Sequence, residues 1–429
     1  MSIQENQIKV LLAHPGRQHS FQLATALKKG DLLFKYITTV YDKDSSILMK
    51  LTKKFLSKEN LKRANSRKCA SLSDHDVLQF CEIEGLITLL LSRIDKTGKI
   101  YNWWNEFTFN RFGKKVAQYA IKQNVDVVIM YDSNSSNAFK ILKQKAPHIK
   151  RVMDVSTPAR NFQKEIFDKD QKRCGRFSDT LPNFGGHKLI NKYIDEIKDA
   201  DIFLSPSSFV NKSLFYNGVR INQVINLQYG VDIKKFNFKK KLTDREDPLT
   251  FIYAGQVSQH KGIFYILEAF KRLNNKRLKL LVVGNIHGDK ELYTPYEQYC
   301  EFVGLVTHDK MVELFNKSHV LTQPSLADGF GLVVLEAMSC GLPVIVSEST
   351  GASDIVVNGK NGFVVESASI EAIQDRVIWF LNNYDYITEM SKNARQTAEL
   401  YSWERYYDKA VEGIIEASKD KLRSGVGGD

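Results

Sequence analysis

Residues 324–354 read PSLADGFGLVVLEAMSCGLPVIVSESTGASD, and the rest of the chain is organised around them. Asp328-Gly329-Phe330-Gly331 is an acidic loop whose two glycines allow close approach of backbone to a ligand. Leu332 to Ser339 sets apolar residues at helical spacing with Glu336 among them, and Cys340-Gly341-Leu342-Pro343 stops that helix. Val344-Ile345-Val346 is a short apolar run of the kind found in a parallel strand covered on both faces. Backbone N–H groups at the start of such a helix form an anion site, which suits a phosphate.

This stretch resembles the sugar-nucleotide signature of glycosyltransferase family 4, retaining enzymes with the GT-B fold. The family motif is Glu-x7-Glu followed by a Gly-x-Pro-Val turn. Here the acids are Asp328, one methylene shorter than the usual Glu, and Glu336, and the turn is Gly341-Leu342-Pro343-Val344. The resemblance implies that Asp328 holds sugar hydroxyls and that Glu336 accepts hydrogen bonds from ribose hydroxyls. Gly329 and the amides of Phe330, Gly331 and Leu332 would lie along the donor. An ordinary surface carboxylate is the bland alternative for either acid.

At 429 residues the chain is too long for one ordinary core, and two domains of about 200 residues are expected. No apolar run approaches the ~20 residues of a membrane span, and the N-terminus enters a strand without a secretory segment. Five scattered cysteines without a CxxC pair argue for reduced thiols and against a zinc site or disulfide framework. Residues 1–200 carry 35 basic and 21 acidic residues, a net of +14, while residues 201–429 net −2. A one-sided basic field implies an acidic partner for the first half: anionic lipid, a phosphorylated acceptor or nucleic acid.

Ile8 to Ala13 is a plausible first strand, and Ser20 is placed to cap a helix through Leu27 that ends at Gly30. Strand, glycine turn and helix form the entry unit of a Rossmann-like domain. The resembled family sets a Gly-rich loop here against the donor phosphates, of which only Gly16 is present, after Pro15. Arg17 and His19 could face the cleft; for His19 a satisfied helix-start ring is the equal alternative. Residues 47–68 hold eight basic residues and one acid, with an apolar face of Ile47, Leu48, Leu51, Phe55 and Leu56. They read as an interfacial membrane helix or as a solvated surface helix. The aromatic group Tyr101, Trp103, Trp104, Phe107 and Phe109 is expected mostly in the core, a second interface being the other reading. Val125 to Met130 and Arg151 to Asp154 are further strands. Many members of the resembled family have a histidine at the second strand edge; here Asp154 and Ser156 stand there, as a substitute or as turn residues.

Tyr229-Gly230-Val231-Asp232 to Phe236 resembles the family's Asn-Gly-Val-Asp-x-x-x-Phe, with Tyr for Asn, and Lys234 to Lys241 reads as a polar linker. After the strand Leu249 to Ala254, relatives have Gly-Arg-x5-Lys-Gly with the basic pair on the diphosphate. Here Gln256 replaces the arginine and Lys261 remains, placed for phosphate after a strand and a Gly loop. Phe302 to Val306 resembles a strand whose backbone, at Val303, meets the nucleobase; a plain buried strand is the alternative. Ser402-Trp403-Glu404 resembles the start of a closing helix that packs back on the first domain. The resemblance covers residues 200–418 in motif and the first 200 in architecture.

The reading is an α/β GT-B fold of two Rossmann-like doubly wound domains facing a cleft. Residues 1–235 bind acceptor, 236–400 bind donor, 401–418 form the returning helix and 419–429 a tail. The expected function is a metal-independent, retaining transferase moving a sugar from a nucleotide-sugar to a lipid-linked or polysaccharide acceptor, in cell-envelope polysaccharide synthesis. Asp328, Lys261 and Asp154 are its candidate catalytic residues. Gly16, Gln256, Lys261, Val303, Gly329, Phe330, Gly331, Leu332 and Glu336 are its candidate donor-binding residues. No cofactor is expected, and the basic half would hold the protein on the inner face of the cytoplasmic membrane. A non-catalytic nucleotide-sugar or nucleic-acid binder on the same scaffold is the rival; a dinucleotide oxidoreductase would need a Gly-x-Gly-x-x-Gly that neither half supplies.

Overall fold

The computed structural model describes residues 8–16, 19–43, 61, 64–184, 186–238 and 247–424. The first half contains β1 (Val10–Ala13), α1 (Ser20–Lys29), β2 (Leu33–Thr38) and β3 (Val77–Gln79), then the helices α2 (Glu82–Ile94) and α3 (Lys99–Gln123). It continues through β4 (Val127–Tyr131), α4 (Ser136–Lys145), β5 (Lys150–Asp154), α5 (Arg160–Asp170), α6 (His187–Asp199), β6 (Ile202–Ser205), α7 (Ser208–Tyr216) and β7 (Val224–Asn226). These strands form one parallel sheet in the order β3-β2-β1-β4-β5-β6-β7.

The second half contains β8 (Leu249–Ala254), α8 (Ile263–Leu273), β9 (Leu278–Val283), β10 (Glu301–Gly304), α9 (His308–Lys317), β11 (Val320–Gln323), α10 (Leu332–Ser339), β12 (Val344–Ser347) and β13 (Gly362–Val365). Its sheet is also parallel, in the order β10-β9-β8-β11-β12-β13. The helices α11 (Ile370–Asn382), α12 (Tyr386–Glu399) and α13 (Trp403–Ser424) close the chain.

Parallel strands covered on both faces need side chains that tolerate burial at every position, so they read as unbroken apolar runs. Val10-Leu11-Leu12-Ala13 and Val344-Ile345-Val346 are such runs and are fully buried. Their alternate residues feed different cores: Val10 and Leu12 join one cluster, Leu11 and Ala13 another. α13 returns to the first half and packs on α1. Val411 lies so close that a Cβ on Gly30 would be 2.6 Å from it, and the Tyr407 hydroxyl donates to Gln22 Oε1 at 2.5 Å.

One segment crosses the other way. α5 and the 3-10 turn Gly175–Thr180 belong to the first half in sequence, yet Phe167, Cys174 and Phe177 join the core of the second sheet, where Phe177 packs edge-on against Tyr293 and Tyr296. Asp170 at the end of α5 is buried and accepts from the Tyr265 hydroxyl and from Gln259 Nε2. The five cysteines are free thiols.

Two local expectations are corrected. Ser20 does not cap α1: it is the first helical residue, and its hydroxyl bonds the Tyr36 hydroxyl at 2.9 Å in the core. The aromatic group on α3 is not core. Trp103 and Phe107 are exposed, because the buried residues of α3 begin only at Thr108. The basic stretch 47–68 lies largely outside the described residues, as does Arg17. Among the described residues no helix is long and apolar enough to cross a membrane.

Candidate functional site

In parallel sheets ligands gather beyond the carboxyl ends of the strands, where the strand order reverses. The first sheet reverses between β1 and β4 and the second between β8 and β11. Between the halves lies a cavity of about 520 Å³, lined by His19, Ser156 and Tyr229 on one side and by Gln256, Lys261 and the 328–333 loop on the other.

The loop after β11 is held against the first half. Ser207 Oγ donates to the Gly329 carbonyl at 2.6 Å, and Ser208 reaches Asp354 through its N–H (2.7 Å) and its hydroxyl (2.5 Å). A Cβ on Gly329 would come within 1.9 Å of the Ser156 carbonyl oxygen. The sequence suggests that this glycine admits a ligand; what it admits here is the backbone of the opposite domain. Gly331, with φ of +80°, is the left-handed residue that launches α10. The amides of Gly331, Leu332 and Val333 have no acceptor among the described residues, and all three residues line the cavity. Unmatched amides at a helix N-terminus carry partial positive charge.

Lys261 is delivered to the same wall by a tight turn after β8. Gly262 has φ of +74°, and a Cβ there would lie 1.8 Å from the Pro324 carbonyl oxygen. The turn sets Lys261 Nζ 2.5 Å from Asp328 Oδ2, with only 20% and 12% of the two side chains exposed. Beside it, burial and then the Lys261 charge push the His260 imidazole down to about 4, so that ring is neutral at pH 7. Glu336, one turn into α10, is half-buried without a hydrogen-bond partner among the described residues, and desolvation lifts its carboxyl to about 7 against the pull of Lys235.

Across the cavity, His19 Nε2 lies 3.3 Å from Asp154 Oδ1 and 3.0 Å from the Tyr229 hydroxyl. The Tyr131 ring packs edge-on to His19. Burial, and after it the negative charge of Asp154, raises the hydroxyls of Tyr131, Tyr229 and Tyr406 well above their ordinary range, so they remain neutral. Asp154 Oδ2 and the hydroxyls of Tyr131 and Tyr406 are buried without partners among the described residues. Each needs a hydrogen bond that a water or a substrate hydroxyl could supply.

The structure thus brings Lys261, Asp328, Gln256, Phe330, Gly331 and Leu332 to one wall, with Asp154 behind His19 on the other. Val303 on the edge strand β10, Gly16 and Glu336 stand outside the cavity lining. The Gly16 amide is already taken by His14 Nδ1 at 2.8 Å, so it offers nothing to a phosphate in this conformation. Sequence reasoning found no histidine at the edge of β5; His19 reaches it from the β1–α1 loop. Tyr229 was visible only as a departure from the motif Asn, and Tyr406 carried no signal at all.

Two facing Rossmann-like sheets with a cleft at both switch points define the GT-B class. Residues 234–397 match the family described as glycosyl transferases group 1. The capsular polysaccharide biosynthesis glycosyltransferase CapM of Staphylococcus aureus is 27% identical over 215 residues, covering 46% of this chain and 57% of that relative. Among solved structures, sucrose-phosphate synthase from Thermosynechococcus elongatus has a TM-score of 0.66 at 16% identity, covering 96% of this chain and 99% of that one. Anabaena HepE in complex with UDP has a TM-score of 0.61 at 14% identity, covering 95% and 100%.

Proposed function

We propose that the chain is a retaining glycosyltransferase that moves a sugar from a nucleotide-sugar donor to a lipid-linked or polysaccharide acceptor in cell-envelope polysaccharide synthesis. The observation that carries this reading is the pairing, on one cavity wall, of Lys261 and Asp328 with the unmatched amides at the start of α10. The donor diphosphate would lie against Lys261 and those amides, Glu336 would accept from the ribose hydroxyls, and Asp328 would hold hydroxyls of the sugar. His19, oriented by Asp154 and Tyr229, would meet the sugar from the opposite domain.

As the bond from the anomeric carbon to the diphosphate oxygen lengthens, negative charge grows on the diphosphate and positive charge on the ring. Lys261 and the fixed amides stabilise the first without reorganising. The acceptor hydroxyl attacks from the face the leaving group departs and passes its proton to the departing phosphate oxygen, so configuration is retained. The contacts of Ser207 and Ser208 with the 329 and 354 loops hold the halves together. Because fixed cation and amides meet the diphosphate charge, turnover is expected to persist in EDTA.

The capsule-synthesis relative supports the acceptor class, and the UDP-bound neighbour makes uridine nucleotides the first donors to try. The test is melting temperature and donor hydrolysis across UDP-, GDP-, ADP-, dTDP- and CMP-sugars, on wild type and Glu336→Gln. Stabilisation by one nucleotide, with hydrolysis lost in the variant, is the expected result. Stabilisation without turnover on any acceptor would favour a non-catalytic binder, and no shift with any nucleotide would end the donor-site reading.

A further inference from the structure

The first half carries a helix that the described residues cover only in part, Leu86 and Leu89 packing against Val40 and Ala64. Seven of the thirteen residues of α2 are isoleucine or leucine, yet only Gly85 in it is buried. A helix apolar all round normally has partners on every side. Ile83 (65% exposed), Leu90 (55%) and Ile94 (61%) stand out from α2, and Ile100 (59%), Trp103 (66%) and Phe107 (44%) from the adjoining first half of α3. Six of the fifteen exposed large apolar side chains among the described residues therefore fall within residues 83–107, a concentration that scattered surface residues do not show. Trp103 and Phe107 stack on one another, with ring centroids 6.5 Å apart.

The turn between the two helices is cationic. Arg93, Lys96 and Lys99 have no ion-pair partner among the described residues. The one acid between them, Asp95, is taken up by the turn itself, accepting from Thr97 and from the Tyr101 amide. The hairpin also starts beside the cleft. Gly85 lies against Thr39, whose hydroxyl donates to the Pro15 carbonyl at 2.5 Å in the loop that leads to His19.

We propose that the α2–α3 hairpin docks the chain on an anionic lipid bilayer. Its aliphatic and aromatic side chains enter the interfacial zone, while Arg93, Lys96 and Lys99 meet the lipid phosphates. Trp among aliphatic residues and rimmed by cations is the composition of an interfacial element. A second copy of the chain is the other possible cover for such a face, and charge decides against it. Two such turns would meet cation to cation, whereas an anionic surface complements Arg93, Lys96 and Lys99; of the acids elsewhere on the hairpin, Glu84 is paired with Arg111 and Glu106 with Lys192. The docking needs nothing from the cleft; only its use, bringing the cleft mouth to a lipid-linked acceptor, rests on the proposed function.

Flotation of the full chain with phosphatidylcholine vesicles, with and without phosphatidylglycerol, tests this. Wild type is expected to float with the anionic vesicles, and Ile94→Glu/Trp103→Glu to lose at least about tenfold in partitioning. Lys96→Glu/Lys99→Glu should lose the preference for phosphatidylglycerol, and Ile221→Glu, on an exposed site elsewhere, should float as wild type does. All four positions changed in the hairpin are exposed, so melting temperatures should stay within a degree or so of wild type. Wild type remaining unbound with both vesicles overturns the proposal, as does an equal loss in Ile221→Glu. So does a dimer in vesicle-free solution that Ile94→Glu/Trp103→Glu dissociates. Donor-induced stabilisation, measured without vesicles, is read separately, so loss of flotation alone leaves the cleft reading standing.

Discussion

Glu336 is the residue whose chemistry depends most on where the fold puts it. An acid raised to about 7 by burial is ionised more easily in the unfolded chain than in the folded one. Between its ordinary range near 4.5 and about 7 the folded state binds more protons, so the group's contribution to stability falls as pH rises and is level above that. Glu336→Gln should flatten that part of the melting-temperature profile. If the carboxylate accepts from ribose, donor-induced stabilisation in wild type should grow as pH passes about 7 and be flat in the variant. A pH-independent donor response in wild type would contradict this. Lys261→Ala removes the side-chain cation paired with Asp328, and kcat/KM should fall by about 10²–10³-fold in steady-state assays, as for loss of one charge-stabilising donor. At this scale the sequence was informative where cavity-lining residues sit in one contiguous loop, as at 328–333. It was silent where they converge from distant strands. His19, Asp154 and Tyr229 are 135 and 75 positions apart in turn, and only folding makes them neighbours.

α10 is the element most fully written in its own residues. Its start at Gly331, its eight residues and its stop at Gly341 all follow from local conformational demands, so they could be read without any knowledge of the fold. Gly341 has φ of +74°, and a Cβ there would also lie 2.4 Å from the Phe238 ring. Gly341→Ala should therefore destabilise by about 1–3 kcal/mol, seen as a melting-temperature drop of several degrees with donor affinity nearly unchanged. α2 and the start of α3 are the contrary case. Helical periodicity reports that a face is apolar but not what will cover it, which is why the Trp103 group was expected inside and stands outside. The Ser20 hydroxyl was misread for a related reason: a cap is a local option, and Tyr36 offered it a partner in the core.

Whole-molecule behaviour rests on the seam between the halves. The contacts of Ser208 with Asp354 are exposed to solvent, so Asp354→Ala should cost less than about 1 kcal/mol of stability. Its effect should appear instead in the balance between closed and open forms. Small-angle scattering should show a larger radius of gyration, and the donor KM should rise several-fold; an unchanged radius and KM would mean the seam does not depend on this contact. The alternation of strands and helices made the two-sheet plan legible from sequence, because each βαβ step is local. The traffic between the halves was not, since α5 and the turn after it look like any other helix and loop of the first domain. That traffic bears on how the molecule can be cut. The 234–397 segment that matches the family is not a unit of folding: produced alone it would lack Phe167, Phe177 and Asp170, leaving Tyr265, Tyr293 and Tyr296 uncovered. A chimera that exchanges the second half would have to carry residues 160–184 along with the half they complete.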